Sequence, residues 1–217
     1  MTKETESPEK EADMKIEYFG HSCFAVEEDG YRIIFDPYKN GTVPGCGDLD
    51  EEADLVICSH GHDDHNAADL IRKRTGRACP FALTTIHSLH DDHGGKLRGT
   101  NDITIVRGKL SAAHMGDIGC DLTDGQYDLL KGVDVLMIPV GGFFTIDAAA
   151  ARKMADRIGA RVTIPMHYKG KGFGYPVIGK ADKFTKLSGD VVDYGSEMTV
   201  DENTPRQTAL MKAKYWK

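Results

Sequence analysis

The sequence lacks any long hydrophobic run. No stretch of its 217 residues approaches the roughly 18 consecutive apolar residues that a membrane-spanning helix needs. The first thirteen residues, MTKETESPEKEAD, are too acidic and too poor in apolar side chains for a secretory signal peptide. We therefore predict a cytoplasmic protein without a membrane partner.

Paired cysteines and the common nucleotide-binding and hydrolase motifs are also missing. The five cysteines are scattered and include no CxxC pair, which fits reduced core thiols better than a disulfide framework or a cysteine-rich zinc cluster. There is no phosphate-loop pattern, HExxH helix, GxSxG elbow or Rossmann fingerprint. Phosphate-loop, single-zinc protease, serine hydrolase and dinucleotide-binding functions are therefore without support.

The sequence has fewer positively than negatively charged residues. The chain has 27 Lys and Arg residues against 34 Asp and Glu, a formal net charge of -7, so its average surface repels nucleic acids and anionic membranes. We predict a small-molecule substrate and favour no nucleic acid as partner. The oligomeric state stays open, and a homo-oligomer is compatible with the sequence.

Short apolar segments predict the architecture. Residues 1–13 are predicted to form a disordered tail, because they offer almost no apolar side chains to offset the entropy of ordering, and one domain is predicted over 14–217. KIEYF, CFAVE and YRIIFD predict an antiparallel meander, and ADLVIC predicts a buried strand.

The second half of the chain predicts alternating strands and helices. Helices are predicted over 66–74, 124–132 and 147–158, between strands such as VDVLMIPV and RVTIPMH. The final PRQTALMKAKYWK is predicted to be a helix or a tail anchored by Trp216. This order favours a layered α/β architecture, with two packed sheets and helices outside.

The heptapeptide SHGHDDH, residues 59–65, follows the predicted strand ADLVIC and holds three histidines and two aspartates. In an extended segment His60, His62 and Asp64 would share a face, and His65 would need a turn to join them. Imidazole and carboxylate suit Zn, Mn or Fe. A metal site is favoured over a solvated loop, because crowded unpaired ionisable groups cost stability unless a cation compensates.

The pattern H-x-H-x-D-H resembles the signature of the metallo-β-lactamase-fold superfamily. FGHSCFAVEEDGYRIIFDPY, HDDHGGKLRGTN, AAHMGDIG, DVLMIPVGGFFTID and IPMHY follow in the order of its small cytosolic, lactonase-like metal-dependent hydrolases, so the resemblance covers about residues 14–180. It implies an α/β (α+β layered) fold, a four-layer αβ/βα sandwich of two mixed sheets with outer helices.

The resemblance also implies two metal positions. His60, His62 and a third histidine would hold one ion, Asp64, His65 and His167 would hold the other, and Asp117 would bridge them. Asp63 would be a bystander.

The third histidine of the first position is open. The candidates are His87, His90, His93 and His114; we choose His90, because in the related sequences the matching histidine is followed directly by Asp and then by a Gly-rich turn. The general acid would be either His114 or solvent. We predict Asp64 and His114 as the catalytic residues.

Other polar residues have two interpretations each. Asp36 resembles the strand-end aspartate that orients a ligand histidine, although capping the turn before Pro37 explains it equally well. His21 could approach the metals or be structural. Gly141 and Gly142 fit either a tight turn or an approach of backbone to substrate, whereas Arg98, Lys169 and Lys171 fit either anion binding or solvated surface charge.

The predicted function is metal-dependent hydrolysis. Two divalent ions, zinc in the first place and Mn²⁺ or Fe²⁺ as alternatives, would make a bridging hydroxide available to attack a small-molecule ester, lactone or phosphoester. Asp64 would orient that hydroxide. The alternatives are a nuclease or phosphodiesterase on the same fold, and a non-catalytic metal-binding protein. A di-iron redox enzyme is disfavoured, because a carboxylate would stand in place of His62.

Overall fold

The computed structural model describes residues 13–74 and 76–217. The tail predicted over residues 1–13 lies outside this part of the chain, apart from Asp13, which begins the first strand. None of the helices in these residues has the length and the apolar character of a membrane-spanning segment.

The secondary structure consists of short strands and three α-helices among the described residues. The strands are β1 (Asp13–Gly20), β2 (Cys23–Glu28), β3 (Tyr31–Phe35), β4 (Glu52–Ala53), β5 (Leu55–Ile57), β6 (Arg72–Lys73), β7 (Ala82–Leu89), β8 (Thr100–Arg107), β9 (Ser111–His114), β10 (Val135–Pro139), β11 (Val162–Met166), β12 (Val191–Tyr194), β13 (Glu197–Asp201) and β14 (Gln207–Met211). The helices are α1 (Asp124–Leu130), α2 (Ala148–Ile158) and α3 (Asp182–Ser188).

Two mixed sheets form the body of the protein. The first has the order β13-β1-β2-β3-β5, in which the antiparallel meander β1-β2-β3 is extended by the parallel strand β5. The second has the order β12-β14-β11-β10-β9-β8-β7, with an antiparallel edge β7-β8-β9 and a parallel remainder. The two mixed sheets of the predicted layered α/β fold are therefore confirmed.

Strand alternation divides the apolar side chains between two cores. In β2, Phe24 and Val26 belong to the large core shared with the second sheet, whereas Cys23 and Ala25 face a smaller cluster. Successive strand residues point to opposite faces, so each face buries its own set. The smaller cluster is completed by loop residues such as Tyr38 and Val43, and loops therefore cover this face of the first sheet.

The helices have local sequence signals that explain their ends. Asp147 caps α2 by accepting hydrogen bonds from Ala149 N and Ala150 N, and Gly159 ends it in the left-handed conformation. Thr123 and Gln126 form a capping box at the start of α1. Contacts of α2 with β10 and of α3 with β14 place these helices against the second sheet.

The helix predicted over 66–74 is wrong, and so is the prediction of a helix or a tail for the C-terminal segment. Residues 66–74 contain only the short 3-10 helix Ala68–Leu70, followed by β6, which pairs with β4. The C-terminal segment forms β14, which inserts between β11 and β12. Trp216 does anchor the chain end, because its ring stacks on Phe173 with a centroid distance of 3.4 Å.

Candidate metal centre

The predicted ligands lie in loops that follow strand ends of both sheets. The loop 59–65 follows β5, and His90 and His167 follow β7 and β11 directly. Asp117 lies just beyond β9. The parallel strands β5, β9, β10 and β11 deliver their loops at carboxyl ends, where open α/β sheets bind ligands.

The first group of facing side chains consists of His60, His62 and His90. One ring nitrogen of each lies within 4.8 Å of the others. His90 is buried, His60 is half-buried and His62 is exposed. The three residues predicted for the first metal position are therefore brought together.

The second group contains Asp64, His65 and His167, again with ligand atoms within 4.8 Å of one another. His65 and His167 are fully buried. These are the three residues predicted for the second metal position, and His21 joins them as a fourth.

Asp117 lies between the two groups. Its Oδ2 atom is 3.2 Å from His65 Nε2, 3.4 Å from His90 Nε2 and 3.1 Å from His167 Nε2. The carboxylate thus faces one histidine of the first group and two of the second, as a bridging ligand would.

A turn explains why the heptapeptide divides its ligands. The backbone N of His65 donates to the carbonyl of His62 at 2.9 Å, so the segment is not extended, and Asp64 faces His65 and not His60 and His62. The face-sharing expected for an extended segment is wrong here. Asp63 is exposed, in keeping with a bystander.

Of the four candidates for the third ligand, only His90 lies in the first group. His87 pairs with Asp102 at 2.7 Å and His93 with Asp92 at 2.6 Å, and both histidines are largely exposed. His90 Nδ1 donates to the carbonyl of Phe144 at 3.1 Å, which directs Nε2 towards Asp117.

His114 lies outside both groups, and both of its ring nitrogens are engaged. Nε2 donates to the carbonyl of Ser22 at 2.8 Å, and Nδ1 accepts from the backbone N of Gly116 at 3.2 Å. The ring stacks on Phe35 and is 1% exposed. The single N–H of this neutral ring is already held by the carbonyl of Ser22, which argues against the predicted role as general acid.

Asp36 holds two predicted ligands in place. Its Oδ2 accepts from His65 Nδ1 at 2.8 Å and from Ser59 Oγ at 2.6 Å, and its Oδ1 accepts from Ser59 N at 2.7 Å. Ser59 Oγ in turn lies 2.9 Å from His60 Nδ1 and accepts its proton. The orienting interpretation of Asp36 therefore fits better than turn capping, because Nδ1 of both histidines is protonated and Nε2 is free for a metal.

We expect Asp36→Asn to weaken metal binding by about 10- to 100-fold. Asparagine has one acceptor oxygen, so its amide N–H would face a donor on either Ser59 or His65. Competition with a chromophoric chelator measures the affinity. Asp102→Asn is the matched control, since Asp102 accepts from an exposed histidine outside the groups; equal affinity in both variants would contradict the role of Asp36.

His21 is the main residue that the sequence underrated. It is 2% exposed, its Nε2 lies 3.2 Å from Asp64 Oδ2, and its carbonyl accepts from the backbone N of His167 at 2.9 Å. His21, Asp36 and His167 have φ of 56°, 45° and 53°, a left-handed conformation that is uncommon outside glycine. Only the pairing of the turn after β1 with the end of β11 brings His21 here.

Asn101 is a further residue that the sequence does not reveal. Its Oδ1 accepts from the backbone N of Asp117 at 2.7 Å, and its Nδ2 donates to the carbonyl of Met115 at 2.9 Å. The side chain therefore fixes the loop that carries Asp117. An isolated Asn in a strand has no sequence signal for such a role.

Two glycines allow ligand loops to approach closely. A Cβ on Gly141 would lie 2.2 Å from the carbonyl oxygen of His167, and one on Gly119 would lie 2.4 Å from the carbonyl of His90. Gly141 therefore accommodates protein backbone. Gly142 has φ of 64°, which fits the tight-turn interpretation.

The electrostatics favour neutral imidazoles at two positions. Burial and the neighbouring His65 lower the pKa of His60 to about 3, and burial and His167 lower the pKa of His21 to about 4. Burial also opposes a charge on His65, but Asp117 and Asp36 outweigh it and raise its pKa well above the ordinary value.

The carboxylates are held in their charged form. Burial opposes the ionisation of Asp117, but His167 and His65 hold its pKa well below the ordinary value. Burial likewise opposes the ionisation of Asp64. The hydrogen bond with His21 outweighs the effect of burial and lowers the pKa of Asp64. Neutral imidazole and ionised carboxylate are the forms that ligate metals.

Buried polar atoms without partners show that the residues fit a cation. Among the described residues His60 Nε2, His65 Nε2, both ring nitrogens of His167 and Asp117 Oδ1 are buried and make no hydrogen bond. His65 and His167 approach Asp117 without hydrogen-bond geometry. Such groups are costly unless they are satisfied, and divalent ions between them would satisfy them.

Comparison with known proteins shows the family. The profile of the family described as Beta-lactamase superfamily domain matches residues 15–167. A relative from Carboxydothermus hydrogenoformans named UPF0173 metal-dependent hydrolase is 29% identical over 192 residues, which cover 71% of this chain and 84% of that protein.

Solved structures agree with this match. A proposed zinc-dependent hydrolase of the metallo-β-lactamase superfamily from Thermotoga maritima is 31% identical and covers 91% of this chain and 98% of its own, with a TM-score of 0.72. Igni18, a metallo hydrolase from Ignicoccus hospitalis, shares the fold with a TM-score of 0.62 at 21% identity, over 87% of this chain and 99% of its own. The chain therefore belongs to the metallo-β-lactamase superfamily and, within it, to the metal-dependent hydrolases.

Proposed function

We propose that the protein is a dinuclear zinc hydrolase that acts on a small-molecule ester, lactone or phosphoester. The observation that carries this proposal is the convergence of His60, His62 and His90 on one side of Asp117, and of Asp64, His65 and His167 on the other. Zinc is preferred to Mn²⁺ or Fe²⁺ because five of these seven ligands are imidazoles.

The chain's own residues have defined tasks in this proposal. Asp117 would bridge the two positions, and Asp64 would ligate the second and orient the attacking water. When bound, the ions lower the pKa of water towards neutrality and polarise the scissile carbonyl or phosphoryl oxygen. Asp36 and Ser59 hold His65 and His60 in orientation.

Tyr175 is a candidate hydrogen-bond donor to the substrate. Its ring lies 5.5 Å from that of His21 and 6.0 Å from that of Phe144. Burial and the nearby Asp64 raise the pKa of the phenol above its ordinary value, so it keeps its proton. A protonated hydroxyl beside Asp64 can donate a hydrogen bond to a substrate oxygen.

The proposal is tested by elemental analysis of the wild-type protein and His60→Ala. We expect about two metal equivalents in the wild type and about one in the variant, because the first position loses one of three imidazoles. His87→Ala is the matched control, since His87 is exposed and outside the groups. Less than two equivalents in the wild type, or equal metal in His60→Ala, would contradict a dinuclear centre.

The same preparations are assayed on lactones, thioesters and phosphodiesters. Unchanged turnover in His167→Ala would favour a non-catalytic metal-binding protein. A salt-dependent affinity for RNA would favour the nuclease, for which the net charge of -7 gives no support.

A further inference from the structure

A cleft of about 270 Å³ opens beside His90, at the edge of the candidate metal centre. Leu97 and Phe143 line it, and their exposed fractions, 68% and 67%, are the highest of the large apolar side chains in the described residues. Water-exposed apolar groups gathered at one cleft mark a surface for an apolar ligand.

Arg98 supplies the positive charge of this cleft. Its guanidinium carbon lies 4.2 Å from the ring centroid of Phe144 and 6.0 Å from that of Phe143. The residue is half-buried, and no carboxylate of the described residues lies within ion-pair distance of its guanidinium. Stacking on aromatic rings fixes the plane of a guanidinium and leaves its N–H fork available for a carboxylate or phosphate.

The two acidic residues of the cleft are engaged elsewhere. Asp91 accepts four backbone hydrogen bonds, from His93 N, Gly95 N, Leu97 N and Arg98 N, at 2.8, 2.9, 3.0 and 2.8 Å. Asp92 pairs with His93 at 2.6 Å. Asp91 thus shapes the loop that carries Leu97 and Arg98, and Arg98 keeps its charge for a ligand.

The opposite wall of the cleft connects it with the metal centre. Phe144 accepts from His90 Nδ1 through its carbonyl, and its ring lies 6.4 Å from that of His167. Phe143 has φ of 64°, a left-handed conformation that is unfavourable for a residue with a Cβ. The loop therefore holds an exposed aromatic ring against a backbone preference, directly beside a predicted ligand.

We propose that this cleft selects substrates that carry both an anionic group and an apolar segment. Arg98 pairs with a carboxylate or phosphate of the substrate, and Leu97 and Phe143 cover the apolar segment. The scissile bond then lies at the centre beyond His90, so this inference rests on the proposed hydrolase function. Lys169 and Lys171 line a different cavity and take no part.

The test compares two esters with the same leaving group, neutral 4-nitrophenyl butyrate and the anionic mono-4-nitrophenyl glutarate. We expect Arg98→Gln to lower kcat/KM for the anionic ester by about 10- to 100-fold and to leave the neutral ester within about twofold. Arg98→Lys is expected to fall between, because lysine keeps the charge without the planar fork. Lys96→Met, which removes an exposed charge from the same loop, is the matched control.

An equal loss on both esters, or no loss on either, overturns the proposal. If the wild type hydrolyses neither ester, calorimetry measures the binding of glutarate to the metal-loaded wild type and to metal-loaded Arg98→Gln. Binding to the variant that is at least about tenfold weaker supports the anion site, and equal binding to both proteins overturns it. Thermal unfolding checks that the variants are folded. Failure of the hydrolase function appears separately, as missing metal or missing turnover in the wild type.

Discussion

Asp117→Asn is expected to lower turnover by about a thousandfold or more and to deplete metal at both positions. The Asp117 carboxylate lies within 3.4 Å of three imidazole nitrogens and faces both predicted sets of ligands. Asparagine keeps the shape but loses the charge, and one of its two terminal atoms becomes a donor that cannot ligate a cation.

The measurements are kcat and the metal content per chain. Asp92→Asn is the matched control, because Asp92 also pairs with a histidine in this region but is exposed. We expect the control to retain metal and turnover. Wild-type metal content in Asp117→Asn would show that the carboxylate is no ligand, and wild-type turnover would remove it from the proposed chemistry.

Arg32→Met is expected to lower the free energy of unfolding by about 3–5 kcal/mol, because it removes the buried guanidinium that two buried carboxylates share. Arg32 is 5% exposed and donates to both oxygens of Glu17, at 3.1 and 3.2 Å, and to Glu51 at 3.0 Å. Glu51 also accepts from Lys214 and Tyr215, so the network joins the first sheet to the C-terminal segment.

The destabilisation has a defined pH dependence. Burial opposes the ionisation of Glu17, but Arg32 and Lys15 outweigh it and lower the pKa of Glu17 from 4.5 to about 2. The stabilisation by the ion pair is therefore complete above pH 4.5 and is lost as the pH falls towards 2. The difference between wild type and variant should shrink over this range.

Urea unfolding at neutral and acidic pH measures both effects. Arg72→Met is the control, because its pair with Asp50 is on the surface; we expect it to leave stability nearly unchanged. A pH-independent difference for Arg32→Met would show that lost packing, and not the buried charge, causes the destabilisation.

Local sequence alone identifies those predicted ligands that belong to one short loop. His60, His62, Asp64 and His65 lie within six residues, so their crowding is visible without any tertiary structure. His90 could be chosen over His87 and His93 only through the resemblance, because all three stand in one polar segment. The structure separates them by burial, which depends on the strands that pack around His90.

Nonlocal pairing explains the features that the sequence missed. His21 enters the site through a backbone hydrogen bond with His167, far away in the chain. The segment 207–211 becomes a strand because it inserts between β11 and β12, which its short apolar pattern does not reveal. The meander β1-β2-β3 was predictable because its strands are adjacent in sequence and joined by short turns.

The left-handed backbone at His21, Asp36 and His167 lowers the stability of the fold at positions whose side chains belong to the candidate site. Each position costs the folded chain about 1–3 kcal/mol that glycine would not cost. Engineering for heat resistance that considers only this backbone cost would therefore be expected to target these residues early. An ancestor or a laboratory variant that gains stability by glycine at these positions would have lost the ring or carboxylate that the site uses.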